Sequence, residues 1–246
     1  MTEYIYDGTF EGFLCCVYAH YYIDKASNIM VRGESQQNFL GNTVEIETEE
    51  EKATLVYRSI EEKISTFDLQ RAYRIFLCGE EGKEMVLLNY LRLGFVKGGS
   101  VSNYHGFPLV REAELFEKKV TQEVVRLKGL LRFSVLEGEI LYSEVEPDND
   151  VLELLAPHFS DRYKNDPFII HDLKRKKAVI AAGGKWYISQ FSRSELPEFH
   201  TEEIKYRRLW KKYFESIAIK ERTNPRCQKN FMPVRYWKHL TEMQKA

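Results

Sequence analysis

Leu131-Arg132-Phe133-Ser134-Val135-Leu136-Glu137-Gly138-Glu139-Ile140-Leu141-Tyr142-Ser143-Glu144-Val145 is the stretch where the hydrophobic period changes from that of a helix to that of a strand. Just before it, Leu109, Ala113, Phe116, Val120, Val124 and Leu127 recur at helical spacing, from a start at Pro108 to a stop at Gly129. Within it, Leu131, Phe133 and Val135 alternate with Arg132 and Ser134, Glu137-Gly138 turns the chain, and 140–145 returns as the second arm of a hairpin. After it, Asn149 can cap a helix running to about Tyr163, with Val151, Leu152, Leu155 and Phe159 inward and Pro157 bending it. Three more strands follow at 168–172, 178–182 and 186–190, joined by Lys174-Arg175-Lys176-Lys177 and by Gly183-Gly184. The pattern predicts an α+β fold: an antiparallel sheet of about five strands, two hairpin units around a helix, covered by helices.

Upstream the reading is mainly helical. Tyr4-Ile5-Tyr6 is a short strand turned by Asp7-Gly8, and from Thr9 a helix places Phe10, Phe13, Leu14, Val17 and Tyr21 on one face. Residues 24–43 read as an irregular connection. Thr48-Glu49-Glu50-Glu51 fits a capping box, and the helix it opens turns Ala53, Val56, Ile60 and Ile64 inward. Helices near 68–78 and 83–96 complete this part. Two regions result: residues 1–107, mainly helical, and 108–246, an α+β domain ending in a basic, aromatic arm. The loop from Gly98 to Gly106 could offer backbone donors to a phosphate, but it lacks the Lys-Ser/Thr ending of a P-loop.

With 246 residues, 43% hydrophobic and 30% charged, the chain can bury a sizeable core. A net charge of -1 excludes a uniformly basic, histone-like protein, so binding to a polyanion requires uneven charge. The unevenness is present, since Glu45, Glu47, Glu49, Glu50 and Glu51 cluster early while the end is basic. The four cysteines, Cys15, Cys16, Cys78 and Cys227, lack the spacing of a zinc or iron-sulfur site, so neither cofactor nor metal is expected and buried free thiols are. The start of the chain carries no export signal and no apolar run approaches a membrane span, which suits the cytoplasm.

The basic end begins with a helix. Thr201 can cap it, and Tyr206, Leu209, Trp210, Tyr213, Phe214 and Ile217 form an arc that would face the core, leaving Lys205, Arg207, Arg208, Lys211 and Lys212 on the other side. Beyond it, Asn224-Pro225 and Met232-Pro233 predict an extended arm ending in a short turn or helix from Pro233. Along that arm Arg222, Arg226, Lys229, Arg235 and Lys238 alternate with Phe231, Tyr236 and Trp237. Bases stack on rings while Lys and Arg follow phosphates, so the interleaving suits a nucleic-acid surface. An amphipathic helix with a solvated basic back, its tail aromatics packed on the core, has the same sequence pattern.

Leu209-Trp210-Lys211-Lys212-Tyr213-Phe214, Ile217-Ala218-Ile219-Lys220-Glu221-Arg222 and Phe231-Met232-Pro233-Val234-Arg235-Tyr236-Trp237 resemble a bacterial family of DNA metabolism or DNA repair proteins. Upstream, Arg126-Leu127-Lys128-Gly129-Leu130-Leu131-Arg132-Phe133 and Leu154-Leu155-Ala156-Pro157-His158-Phe159-Ser160-Asp161-Arg162-Tyr163 are similar to the same family. Its stand-alone members are usually encoded beside a radical-SAM protein, and a similar domain occurs fused to a uracil-DNA glycosylase-like domain. The resemblance therefore implies DNA as a partner, and a radical-SAM protein as another. It supplies no reaction and no catalytic residues.

For chemistry, His158 and Asp161 lie three apart on one predicted helix face, with His171-Asp172 on a nearby strand. Two imidazoles and two carboxylates could share a proton or a cation, but adjacent strand positions point to opposite faces. Arg162 and the tip at Lys174-Arg175-Lys176-Lys177 are alternative phosphate contacts. Three readings stand: a DNA-binding component of a repair or modification system, an enzyme acting on a nucleic-acid base or backbone, and a scaffold for the radical-SAM protein.

Overall fold

The computed structural model describes residues 2–33 and 42–244. Two compact units make up the chain, Met1–Thr121 and Gln122–Ala246.

In the first unit, β1 (Thr2–Tyr6) leads into α1 (Phe10–Tyr22), whose first turn is capped by the Thr9 hydroxyl accepting from Gly12 N at 3.0 Å. The expected irregular link at 24–43 is in part sheet. β2 (Ala26–Val31) and β3 (Asn42–Glu45) flank β1 in the order β2-β1-β3, all parallel, and 34–41 lie outside the described residues. These edge strands bury little beyond Ala26 and Ile29, so they carry no alternation to read.

α2 (Glu50–Lys63) starts where expected and buries Ala53, Val56 and Ile60, but without a capping box. The Thr48 hydroxyl donates instead to Asp7 Oδ2 at 2.8 Å. That arrangement crowds Gly12, where a Cβ would lie 2.3 Å from Asp7 Oδ1. α3 (Thr66–Phe76), α4 (Lys83–Lys97) and α5 (Pro108–Leu130) follow. Between the last two, Gly99 lets the chain approach the Ile64 carbonyl, which a Cβ would meet at 2.8 Å. Cys15, Cys16 and Cys78 are buried free thiols as expected, whereas Cys227 is exposed. Among the described residues no helix is long and apolar enough to cross a membrane.

The second unit is built on β4 (Ser134–Leu136), β5 (Ile140–Val145), α6 (Leu152–Arg162), β6 (Phe168–Asp172), β7 (Lys177–Ala182) and β8 (Lys185–Gln190), with sheet order β4-β5-β6-β7-β8. The fold is α+β, with the two hairpins set around a helix as the sequence indicates. Their seam differs, because β5 and β6 pair in parallel from Leu141↔Phe168 to Val145↔Asp172. α6 is a crossover that carries the chain back to the same end of the sheet, and a crossover makes its two strands parallel. Central β6 is buried along its whole length. Two helices end the unit, α7 (Glu203–Ile217) and α8 (Pro225–Phe231), followed by short turns.

Asn149 does not cap α6, which begins after Val151. Its backbone N and its Nδ2 both donate to Glu123 Oε2, at 2.8 and 2.7 Å, while Asp148 N donates to Oε1 at 3.0 Å. The Tyr236 hydroxyl also donates to Glu123 Oε1, and Arg235 Nη2 lies 3.5 Å from it. A carboxylate 1% exposed thus joins α5, the loop before α6 and the C-terminal arm, which no periodicity in the sequence indicates. Removing it strands several buried donors, each costing about 1–3 kcal/mol. Glu123→Ala should lower the unfolding free energy by about 3 kcal/mol or more in urea titrations, whereas Asp161→Asn, at an exposed ion pair, should change it by less than about 0.5 kcal/mol.

Candidate nucleic-acid interface

The helix α7 is seated by an ion pair rather than by its apolar arc. β4 is an edge strand, and its open backbone groups need partners. The segment before α7 supplies some: Glu137 N donates to Glu198 O at 2.9 Å and His200 N to Val135 O at 3.0 Å. Glu203, 6% exposed, supplies another by accepting from Val135 N at 3.0 Å. Its other oxygen accepts from Arg207 Nε at 2.8 Å, and Arg207 Nη2 donates to Ser134 Oγ at 2.7 Å.

Those bonds rotate α7 so that Glu203 and Arg207 face the sheet. Tyr206, Leu209, Tyr213 and Ile217, expected inward, are each more than half exposed. Trp210 is held at the edge of the packed side, its Nε1 donating to Glu242 Oε2 at 2.9 Å and its ring under the Arg132 guanidinium. Arg132 Nη2 lies 2.6 Å from Glu242 Oε1. Burial alone would raise the Glu242 carboxyl, but the bonds from Arg132 and Trp210 outweigh it and hold it below its ordinary value.

The arm after α7 also departs from the expected extended form. Asn224 is the N-cap of α8, its Oδ1 accepting from Cys227 N at 3.0 Å, and Pro225 occupies the first turn, where its missing N–H costs nothing. Asn-Pro here starts a helix rather than preventing one.

The basic and aromatic residues sort into two groups. Arg235 is 2.9 Å from Asp148 Oδ2, and Tyr236 is 3% exposed with its hydroxyl on Glu123. Lys238 pairs with Glu146, Lys211 Nζ donates to Gln244 O, and Trp237 Nε1 donates to Met232 O, the last two at 2.9 and 2.8 Å. Arg207, Arg235, Tyr236, Trp237 and Lys238 thus hold the arm in place. In contrast, Arg208, Lys212, Arg222, Arg226 and Lys229 are exposed, and their side chains have no ion-pair or hydrogen-bond partner among the described residues. Phe231 is exposed beside the last of these. At 100° per residue, Arg208, Lys212, Lys205, Leu209, Tyr213 and Tyr206 fill one arc of about 160° on the solvent side of α7.

The four residues considered for chemistry do not converge. His158 packs edge-on against Phe159, and exposed Asp161 pairs with Lys164 at 2.9 Å. Asp172 is fully buried and holds the β6–β7 turn, accepting from Lys174 N at 2.9 Å and from Arg175 Nη1 at 2.9 Å. That leaves Lys174 and Lys176 as the exposed cations of the tip. Among the described residues no three His, Cys, Asp or Glu side chains lie close enough together to hold a metal ion.

His171 has different company. Its Nδ1 is 2.9 Å from the Tyr142 hydroxyl, which is 3.1 Å from Glu144 Oε1. The sequence holds one signal for this trio: Tyr142 and Glu144 are two apart on a strand and so share a face. The parallel β5–β6 register, which sets Glu144 beside His171, is tertiary information. The phenol has one proton, so it donates to one neighbour at a time. Burial, joined by the neighbouring Glu144 carboxylate, pushes the Tyr142 phenol up.

The chain belongs to a family described as a domain of unknown function, DUF4130, whose match spans residues 81–242. None of the curated proteins compared with it matches. Among solved structures, a pGpG-specific phosphodiesterase, PggH from Vibrio cholerae, is similar at 11% identity over 88% of this chain and 99% of that one, with a TM-score of 0.35. At that level neither fold nor function transfers.

Burial holds the His171 imidazole below its ordinary value, against the opposite pull of Glu144 and Asp172. A histidine depressed in the folded state contributes stability that is complete above its unfolded pKa, about 6.5, and is lost as pH falls through the folded value. Unfolding free energies measured across that window should decline with acid, and His171→Gln should flatten the decline. A variant with the same pH slope as the parent would show that His171 does not titrate there.

Proposed function

With membership of the DUF4130 family as the premise, we propose that the second unit is a nucleic-acid-binding module. It would serve as the DNA-binding component of a repair or modification system that works with a radical-SAM protein, in a reducing compartment such as the cytoplasm. One observation carries the reading: the cations of α7 and α8 that lack acid partners lie among exposed rings. A cation paired within the protein offers a phosphate only its remaining charge and donors, whereas Arg208, Lys212, Arg226 and Lys229 are wholly uncommitted among the described residues. Tyr206, Tyr213 and Phe231 add flat faces on which bases can stack whatever their sequence.

The contacts available are to phosphates and ring faces rather than to base edges, so the reading is of binding with little sequence preference. The test is the salt dependence of DNA affinity, measured with the full chain on single-stranded and duplex DNA. Affinity should fall linearly on a log-log plot, by roughly 0.7 per neutralised phosphate on single strands and 0.9 on duplex. Replacing Arg208, Lys212, Arg226 and Lys229 together by alanine should make that slope shallower by about 3, and replacing Lys174 and Lys176 should leave it unchanged. Equal slopes for parent and fourfold variant would reject the assignment and favour a protein partner for the exposed stripe.

A further inference from the structure

One face of the sheet, between β4–β5 and the segments that follow β8, holds a cleft with two compartments of different character. The polar one is lined by Arg132, Ser134, Glu144, Arg207, Lys238 and His239, in about 60 Å³. The larger, more apolar one is lined by Leu136, Leu196, Pro197 and Phe199 together with Arg193 and Glu198, in about 410 Å³. Tyr142 and Phe199 line both, so the compartments adjoin.

The charges in the polar part are ordered. Arg132, Arg207 and Lys238 are held by Glu242, Glu203 and Glu146, and none of those three acids lines the cavity. The cations line the cavity, and the acids that pair with them are not part of its wall. The one carboxylate that does line it is Glu144, fixed on one side by the Tyr142 hydroxyl and 3.7 Å from Arg193. Tyr142 is in turn backed by His171, so Glu144 is a positioned acceptor. On the apolar side the Phe199 ring carries the Arg207 guanidinium 5.1 Å from its centroid and remains 41% exposed.

A ligand that satisfies all of this has a flat apolar body, N–H donors on the edge of that body and an anionic end. We propose that the cleft binds one nucleotide unit, with its phosphate near Arg207 and Lys238, its base against Phe199, Leu196 and Pro197, and a base N–H on Glu144. A cavity of a few hundred Å³ with apolar walls and a few convergent polar groups is the usual form of a small-molecule site. Ring stacking accounts for the exposed Phe199, and a carboxylate accepting from base amino groups is an established form of edge recognition. Arg208, Lys212, Arg226 and Lys229 do not line this cleft, so it can hold whether or not the strand-binding reading does.

The experiment is an NMR titration of the isotope-labelled full chain with the four deoxynucleoside monophosphates, the matching nucleosides, inorganic phosphate and a short single strand. Saturable shifts at Tyr142, Leu196, Phe199 and Arg207 are expected with monophosphates, with weaker binding of nucleosides and of inorganic phosphate. Phe199→Ala should weaken monophosphate binding at least tenfold, and Phe199→Leu, which keeps apolar bulk without a stacking ring, should weaken it as well. The fourfold α7–α8 variant should bind monophosphates like the parent while losing affinity for the strand. A strand that shifts the same cleft resonances identifies a nucleotide within a chain as a ligand, and monophosphates alone doing so identify free nucleotides. No saturable shift at millimolar monophosphate, inorganic phosphate binding as well as any nucleotide, or equal affinity in both Phe199 variants and the parent would each overturn the proposal.

Discussion

The bond from Val135 N to the buried carboxylate of Glu203 decides what the second unit shows to solvent. An edge strand three residues long has backbone groups that must be paired, and an apolar arc on a nearby helix cannot pair them. Glu203 can, and Arg207 then neutralises it and reaches Ser134. Hydrogen bonding at the edge thereby sets the rotation of α7 against the preference of its hydrophobic pattern. Tyr206, Leu209, Tyr213 and Ile217 are exposed as a consequence, and so is the neighbouring row of unpartnered cations.

The same logic recurs along the C-terminal arm. Glu123, Glu146 and Glu242, on α5, after β5 and in the final turn, take hold of Tyr236 with Arg235, of Lys238 with His239, and of Arg132 with Trp210. Each pairing fixes a cation or a ring in one place. The acids therefore divide a stretch that looks uniform in sequence into residues that fasten the arm and residues whose side chains have no partner among the described residues. Some of the fastened cations, Arg132 and Lys238, also line the cleft beside Tyr142.

Buried charges elsewhere in this protein are joined in the same way, although the buried Ser143 hydroxyl has no hydrogen-bond partner among the described residues. In the first unit Arg71, 6% exposed, meets Glu117 at 2.8 Å and the Tyr90 hydroxyl at 3.1 Å, and that hydroxyl donates to fully buried Asp68. Asp172 does the same work for the β6–β7 turn. A charge out of water must be paired or it costs several kcal/mol, so these side chains stabilise only as sets. They constrain geometry more than they add stability.

By itself the sequence determined the elements: the strands of the sheet, the helix between its hairpins and the amphipathic helices before it, because periods of 2.0 and 3.6 are local properties of the chain. It also determined that positive charge and aromatic rings gather at one end. Only the tertiary structure decided that β5 and β6 run parallel, that β2 and β3 join β1, and that α7 rests on Glu203 instead of on Trp210 and Tyr213. It alone separated Arg235 and Tyr236 from Arg226 and Lys229, and brought His171 to Tyr142 rather than to His158. Each of those outcomes depends on which distant group satisfies a buried donor, acceptor or charge, and no local pattern records the partner.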